Sequence, residues 1–197
     1  MTLPLDPAAQ DLLFREAHTA QKFASEPVTE AQIQEIYELI KYAPTAFNQS
    51  PLRITLVRSA EARERLVSHM SPGNQEKTRT APLTAILAVD LAFHERLPEL
   101  APAKPELKDT LFADSGYRET SGKLNATLQI GYFLIGVRAA GLAAGPMTGF
   151  DASAVDKEFF PDGEQHTLVI ANIGMPVEGG HFPRAPRLRF EDAVTVV

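Results

Sequence analysis

Residues 122–140 constrain the fold more than any other part of the sequence. Apolar side chains such as Leu124, Leu128 and Phe133 fall on nearly every side of the helix that this segment would form. A helix that lacks a polar face has to be buried, either in a core or in a subunit interface. Gly141 then predicts the C-terminal end of the helix.

Three strand patterns predict a central β-sheet. The apolar run at residues 83–89 is bounded by a proline and an aspartate, as is typical of a central strand, and residues 167–173 predict a second buried strand. Residues 52–57 alternate between polar and apolar, which indicates a half-buried strand. Helical patterns lie between these strands, and they are predicted at residues 12–23, 29–43, 61–70 and 151–159. The alternation predicts an α+β fold.

The 197 residues are predicted to form a single domain, 1–197, with no internal linker. Prolines and scattered charges interrupt every pattern at residues 94–117, which we expect to be a mobile excursion over the functional site. Residues 176–197 are rich in proline and arginine and predict a C-terminal arm.

Composition excludes several classes of function. A net charge of −6 argues against nucleic acid or an anionic membrane as a main partner. The chain has no cysteine, which excludes disulfides, thiolate catalysis and iron–sulfur ligation. No histidine pair has the spacing of metal ligands, so no metal site is predicted. The N-terminus lacks the pattern of a secretory signal, and residues 130–137 are too short to span a bilayer, so we expect a cytoplasmic protein.

Two turns rich in hydrogen-bond donors are candidates for a ligand site. The first is Ala-Pro-Thr-Ala-Phe-Asn-Gln-Ser-Pro at residues 43–51, and the second is Gly-Pro-Met-Thr-Gly-Phe-Asp at residues 145–151. Such turns suit a flat polar ligand with many acceptors. From the residues alone, the first could be an ordinary connection, and Asp151 could simply cap the following helix.

Two basic features accompany these turns. Lys77 follows Asn74 in a polar stretch at residues 73–77, which could also be a solvated loop. Arg184 and Arg187 lie in the C-terminal arm, where guanidinium groups are suited to bidentate contact with a phosphate. An exposed basic arm that balances an acidic protein is the alternative interpretation.

In this order, the motifs resemble those of the nitroreductase family of FMN-dependent oxidoreductases, and the whole chain is most similar to its malonic semialdehyde reductase branch. The resemblance implies a mostly antiparallel sheet flanked by helices, in an intertwined homodimer with two FMN sites at the interface. It also implies NADH or NADPH as co-substrate. No side chain is expected to act as a nucleophile, because flavin N5 carries the hydride.

The resemblance assigns flavin contacts along the chain. Backbone groups of Thr148 and Gly149 are expected near N5, while Asn74 and Lys77 would face the N3–O4 and O2 edges of the ring. The remaining predicted contacts are to the ring or to the phosphate, and they come from Pro44, Thr45, Asn48, Ser50, His18, Thr19, Gln21, Arg184 and Arg187.

Two positions depart from the family pattern. Ser50 stands where relatives carry a longer glutamine. The N-terminal phosphate motif of most relatives, Arg-Arg-Ser-x-Arg-x-Phe, is here Ala-His-Thr-Ala-Gln-Lys-Phe, so that two or three positive charges are missing. His18, Thr19 and Gln21 can still donate hydrogen bonds. We therefore expect Arg184 and Arg187 to supply most of the positive charge at the phosphate.

The sequence thus predicts transfer of hydride from NAD(P)H through FMN to a small acceptor, which the branch resemblance makes a 3-oxopropanoate-like semialdehyde. One alternative is a nitroaromatic or quinone reductase without aldehyde activity. Another, from a different class, is a flavin-binding protein that has lost catalysis.

Overall fold

The computed structural model describes residues 3–197 and has a four-stranded antiparallel sheet at its centre. The strands lie in the order β1-β2-β4-β3, so that β1 and β3 form the two edges. Their bounds are Leu52–Val57 for β1, Leu83–Asp90 for β2, Ala143–Met147 for β3 and Gln165–Gly174 for β4. The predicted α+β class and antiparallel sheet are confirmed.

Helices cover the sheet on both faces. The α-helices are α1 (Pro7–Gln10), α2 (Glu30–Ile40), α3 (Ala60–Ser68), α4 (Pro72–Arg79), α5 (Leu97–Leu100), α6 (Ser115–Ala139), α7 (Ala152–Phe159) and α8 (Phe190–Ala193). A π-helical turn at Asp11–Arg15 extends α1, and short 3-10 turns lie at Ala46–Asn48, Phe93–Arg96 and Pro105–Lys108.

The core has one layer on each side of β2, because successive residues of a strand point to opposite faces. Leu87 faces α2 and α6, where it belongs to a cluster with Ile36 and Phe133. Ile86 faces α3 and α7, in a cluster with Leu66 and Val155. Full burial of each such side chain stabilises the fold by roughly 1.5–3 kcal/mol.

The long helix α6 is buried on one side only. Phe133 and Val137 lie in the core, whereas Leu124 and Leu128 are 64% and 50% exposed. Its start at Ser115 is earlier than the predicted residue 122, because the Asp114 side chain accepts from Tyr117 N and caps the first turn. The helix ends before Gly141, as predicted, and this glycine has a positive φ of 74°.

The predicted helix at residues 12–23 is wrong. The helical region begins at Pro7, behind the Asp6 cap, and ends at Arg15. The chain beyond it is extended, because its backbone donors find partners elsewhere: Ala20 N donates to Ala144 O over 3.0 Å, and Gln21 N donates to Gly180 O over 2.7 Å. Tertiary pairing here overrides local helix propensity.

The second predicted turn begins later than expected. Residues 145–147 pair with β4 as the end of strand β3, and the turn itself starts at Thr148. Gly145 permits the close approach of the N-terminal segment, since a Cβ on this residue would lie 2.5 Å from Ala20 O. The polar stretch at 73–77 is also ordered differently from a loop, because it lies within α4.

Residues 94–114 form short helices and turns around a hydrophobic cluster in which Leu97, Phe112 and the preceding Phe93 are fully buried, and residues 115–117 begin α6. Their expected mobility stays a prediction. The C-terminal arm is exposed from His181 to the end of the chain. Apart from its short helix α8, this part of the arm is irregular in structure.

Candidate functional site

A cavity of about 190 Å³ collects the residues predicted to bind phosphate. We call it the basic cavity. None of its described lining residues is acidic, and the lining consists of Ala17, His18, Thr19, Gln21, Arg138, Phe182, Pro183, Arg184, Ala185 and Arg187. The structure thus brings His18, Thr19, Gln21, Arg184 and Arg187 to one place, from segments that are more than 160 residues apart in the sequence.

Two segments of the chain build this cavity by pairing with each other. Ala20 forms an isolated bridge with His181, and the His18 ring stacks on the His181 ring with centroids 3.7 Å apart. Arg184 Nη2 donates to Ala17 O over 2.9 Å. The Arg184 side chain therefore ties the arm to the N-terminal segment as well as lining the cavity.

Positive charges crowd the cavity. Burial lowers the pKa of His18 from its ordinary value, and the nearby His181 and Arg184 lower it further, against the opposite effect of Glu16. Burial also lowers the pKa of Arg138, with a smaller contribution from Arg184. Cations that disfavour one another's charge create a field that favours a bound anion.

Asn74 and Gly149 meet at the start of α4. Asn74 Nδ2 donates to Gly149 O over 2.8 Å, and Ser71 N donates to the same oxygen over 3.0 Å. These bonds fix the turn at Thr148 and Gly149 against the start of α4. Thus two of the motifs predicted to face the same ligand are in direct contact.

Lys77 connects this turn with the basic cavity. Its side chain extends from α4, and its Nζ donates to Gln21 Oε1 over 3.2 Å. The helix is anchored at this point, because the buried Asn172 of β4 donates to Lys77 O over 3.0 Å. Lys77 therefore lies in a helix and contacts a residue that lines the basic cavity, and the solvated-loop alternative is wrong.

The first predicted turn has a strained backbone. Phe47, Asn48 and Ser50 have φ values of 54°, 52° and 41°, in the left-handed region that non-glycine residues rarely occupy. Each such residue costs of order 1–3 kcal/mol unless its surroundings enforce the conformation. Strain of this kind is concentrated at functional sites.

Helix α6 enforces this conformation. Asn125 Oδ1 accepts from Ala46 N over 2.8 Å, and the buried Gln49 donates to Ser121 Oγ over 3.1 Å. Gln129 Oε1 accepts from Leu52 N just beyond the turn. None of these three hydrogen bonds was predicted from the sequence. The feature that could have indicated them is the polar residue at every fourth position, 121, 125 and 129, of an otherwise apolar helix.

Pro44, Thr45, Asn48 and Ser50 line a separate groove of about 1160 Å³. The turn that carries them leads into edge strand β1, whereas the Thr148 turn leaves the opposite edge strand β3. The predicted residues therefore form two half-sites at the two edges of the sheet, separated by three strand spacings, roughly 14 Å. Asn48 uses its side-chain amide internally, since Nδ2 donates to Leu100 O over 2.8 Å.

Arg138 is the lining residue that the sequence did not reveal. It lies in the last turn of α6, where a cation also interacts favourably with the helix C-terminus. Its Nε is buried without a hydrogen-bond partner in the described part of the chain. A basic residue that ends an apolar helix was the only indication in the sequence.

Other kinds of site find no support in residues 3–197. No group of three His, Cys, Asp or Glu side chains there is placed to hold a metal ion. Among the helices of the same region, none combines the length and apolar character that crossing a membrane requires.

Comparison with known proteins defines the class to which this fold and site belong. The model of the nitroreductase family matches residues 14–175. A protein of Streptomyces griseus, described as "Putative NADH dehydrogenase/NAD(P)H nitroreductase", is 61% identical over 198 residues, with 100% of both chains covered. A Streptomyces coelicolor protein with the same description is 62% identical, also over 100% of both chains.

Solved structures agree with this class at the level of the fold. A Bacillus subtilis protein described as "putative nitroreductase ydfN" superposes with a TM-score of 0.87 at 21% identity, covering 98% of this chain and 100% of that one. A "putative nitroreductase in complex with FMN" from Exiguobacterium sibiricum gives a TM-score of 0.83 at 15% identity, with 100% of both chains covered. The chain belongs to the nitroreductase family, as its motifs predicted.

Proposed function

We propose that the protein binds FMN with its phosphate in the basic cavity and transfers hydride from NADH or NADPH to a small acceptor. The class, an NAD(P)H-dependent flavin oxidoreductase, follows from membership of the nitroreductase family. The observation that carries the assignment of the site is the basic cavity, which the Asn74 helix reaches through the bond from Lys77 to Gln21.

The residues present fit an FMN phosphate. The cavity has cations from two segments and no described acidic lining residue, and the buried Nε of Arg138 lacks a partner. A dianionic phosphate supplies acceptors for such donors, and charge-assisted hydrogen bonds of this kind are about twice as strong as neutral ones. Thr19 and Gln21 offer neutral donors beside the cations.

The turn at Thr148 and Gly149 fits the flavin ring. A Cβ on Gly149 would approach Ser71 and Asn74, so that glycine allows this turn to pack closely against the start of α4. Bound FMN supplies a ring atom, N5, that accepts and releases hydride. The protein orients the ring through this turn.

Lys77 has an electrostatic role in this proposal. Its ammonium group, held toward Gln21, would lie beside the N1–O2 edge, where negative charge develops on reduction. A fixed cation there favours the reduced flavin over the oxidised one. No general acid or base is required for the hydride transfer itself.

We further propose a homodimer in which the turn at residues 45–50 of one copy completes the site of the other. Within one chain this turn lies at the opposite edge of the sheet from Gly149. The exposed side chains of Leu124 and Leu128 on α6 provide an apolar surface suited to burial by a second copy. A cytoplasmic location belongs to the same proposal.

The acceptor is proposed from resemblance to be a 3-oxopropanoate-like semialdehyde. Nitroaromatics and quinones are alternative acceptors, and the Streptomyces relatives are described as NAD(P)H nitroreductases. A non-catalytic flavin-binding protein is the alternative from another class.

Two measurements test the proposal. The visible spectrum and the mass of the released ligand should show one FMN per chain, and a protein that neither contains nor takes up FMN would refute it. Turnover with NADH and NADPH, using the semialdehyde, a nitroaromatic and a quinone, then distinguishes the three activities. A flavin-loaded protein that is inert toward all acceptors would support the non-catalytic alternative.

A further inference from the structure

We infer that Arg138 supplies, from helix α6, a phosphate-binding cation in place of the cations that the N-terminal segment lacks. The inference rests on the proposed function, because it concerns the phosphate group of FMN. It adds a third segment of the chain to the basic cavity, which otherwise consists of residues near His18 and residues near Arg184.

The hydrogen bonding of Arg138 is incomplete in the described chain. Its Nη1 donates to Leu13 O over a long 3.3 Å, and its buried Nε has no acceptor. Leaving a buried donor of a charged group without an acceptor is costly. A ligand oxygen in the cavity that Arg138 lines would provide the missing acceptor.

Arg138 lacks an acidic partner at ion-pair distance within the described chain. It forms no ion pair with any residue of the described chain 3–197. Burial, and after it the charge of Arg184, lowers the pKa of the Arg138 guanidinium. The two guanidinium groups repel each other, and the described lining of the cavity has no acidic residue. A phosphate dianion bound between them would stabilise both charges.

The backbone position of Arg138 is fixed more firmly than that of the arm arginines. Phe133 and Val137, which precede Arg138 by five residues and one residue, are buried in the core, so the end of α6 is held by packing. Arg184 and Arg187, in contrast, lie in an arm whose residues are exposed. A cation on the rigid element loses less freedom when phosphate binds.

A structural role is the competing explanation. A cation in the last turn of a helix interacts favourably with the helix dipole, and the bond to Leu13 O connects α6 to the N-terminal helical region. These effects would stabilise the fold without any preference for a phosphate. Riboflavin, which has the same ring and no phosphate, separates the two roles.

The test compares FMN and riboflavin binding to the apoprotein by fluorescence quenching. Arg138→Met should weaken FMN binding about 10- to 100-fold, the loss expected for one hydrogen bond to a charged group. Riboflavin affinity should stay unchanged. Arg138→Gln, which keeps a donor for Leu13 O, should show the same selective loss and covers the case in which the Met variant does not fold. Arg65→Met, which removes an exposed cation paired with Glu158, is the matched control and should change neither affinity.

The outcomes separate this inference from the proposed function. If the wild-type protein binds neither flavin, or binds both equally, the proposed FMN site fails. If the wild type prefers FMN and both Arg138 variants keep that preference, the inference is overturned while the proposed function stands. Equal loss of FMN and riboflavin would also overturn it, because it would assign Arg138 the structural role.

Discussion

Asn74 Nδ2 lies 2.8 Å from Gly149 O, and a Cβ added to Gly149 would lie only 2.6 Å from the same nitrogen. The hydrogen bond and the absence of a side chain on Gly149 are therefore parts of one arrangement. Asn74 can hold the turn only because residue 149 is glycine.

Gly149→Ala should destabilise the protein by about 1–3 kcal/mol, the usual cost of overpacking a close contact. The cost should be smaller when Asn74→Ala removes the side chain that clashes, so that the double variant is less destabilised than the sum of the single changes. Denaturant unfolding of the apoprotein measures all three. Gly73→Ala, where a Cβ meets nothing within 4 Å, is the control, and additive effects would contradict the clash.

Lys77→Met should lower the midpoint potential of the bound flavin, because it removes a cation from the edge where reduction places negative charge. Affinity for oxidised FMN should change less. A spectroelectrochemical or xanthine oxidase titration measures the potential. Arg79→Met is the matched control on the same helix, since Arg79 pairs with Glu64 and Glu76 on the surface. An unchanged potential with FMN still bound would show that Lys77 has no role at the ring.

Arg187→Ala and Arg184→Ala should each weaken FMN binding by about 1.5–3 kcal/mol, the range for hydrogen bonds to charged groups. Riboflavin should bind the Arg187 variant as it binds wild type, because the hydrogen bonds of Arg187 Nη1 within the described chain go to the neighbouring carbonyl groups of Ala185 and Pro186. The Arg184 variant also loses the hydrogen bond to Ala17 O, so its effect includes any loss of the contact between the arm and the N-terminal segment. Equal losses for both flavins would indicate a folding effect.

Leu128→Glu should shift the protein from dimer to monomer, since it places a charge on the exposed apolar side of α6. FMN affinity should fall together with dimer content, because the proposed site needs the 45–50 turn of the second copy. Light scattering over a range of concentrations measures the oligomeric state. Ser153→Glu on the exposed start of α7 is the control for added charge. A flavin-bound wild-type monomer at low micromolar concentration would refute the dimer.

The stability of the apoprotein should fall as the pH decreases below about 6.5. The pKa of His18 lies below its ordinary value of 6.5 because of burial and the charges of His181 and Arg184. Between that lowered pKa and 6.5, His18 therefore binds more protons in the unfolded chain than in the folded one. The contribution of neutral His18 to the free energy of unfolding is fully present above this window and is lost as the pH falls through it. His18→Gln should reduce the pH dependence of the denaturant midpoint. His94, whose pKa is lowered mainly by burial, should account for part of what remains.

The sequence predicted the central sheet well, because runs such as 83–89 are buried on both faces and carry a strong pattern. It failed at residues 16–23 and at β3. Both segments are short and rich in small or polar residues, and both owe their extended structure to partners far away, as in the bond from Ala20 N to Ala144 O. Local propensity contains no information about such partners.

For the candidate site, the order of the motifs predicted the group of residues that lines the basic cavity and the proximity of Asn74 to the Thr148–Gly149 turn. It could not predict that the 45–50 turn lies at the other edge of the sheet, since that depends on strand order. Nor did it indicate Arg138, whose position in the cavity follows from where a long helix ends.

Helix α6 links the 45–50 turn, the exposed apolar surface and the basic cavity. Ser121 and Asn125 support the strained turn, Leu128 faces outward, and Arg138 lines the basic cavity. From Ser121 to Arg138 the axial distance is roughly 25 Å at 1.5 Å per residue. The helix thus fixes both the distance and the relative direction of these side chains, since one residue inserted between Asn125 and Arg138 would rotate Arg138 by about 100° relative to Asn125. The number of residues between Asn125 and Arg138 therefore sets the spacing between the two half-sites. An insertion or deletion in this part of α6 would displace either the support of the 45–50 turn or the cation of the basic cavity.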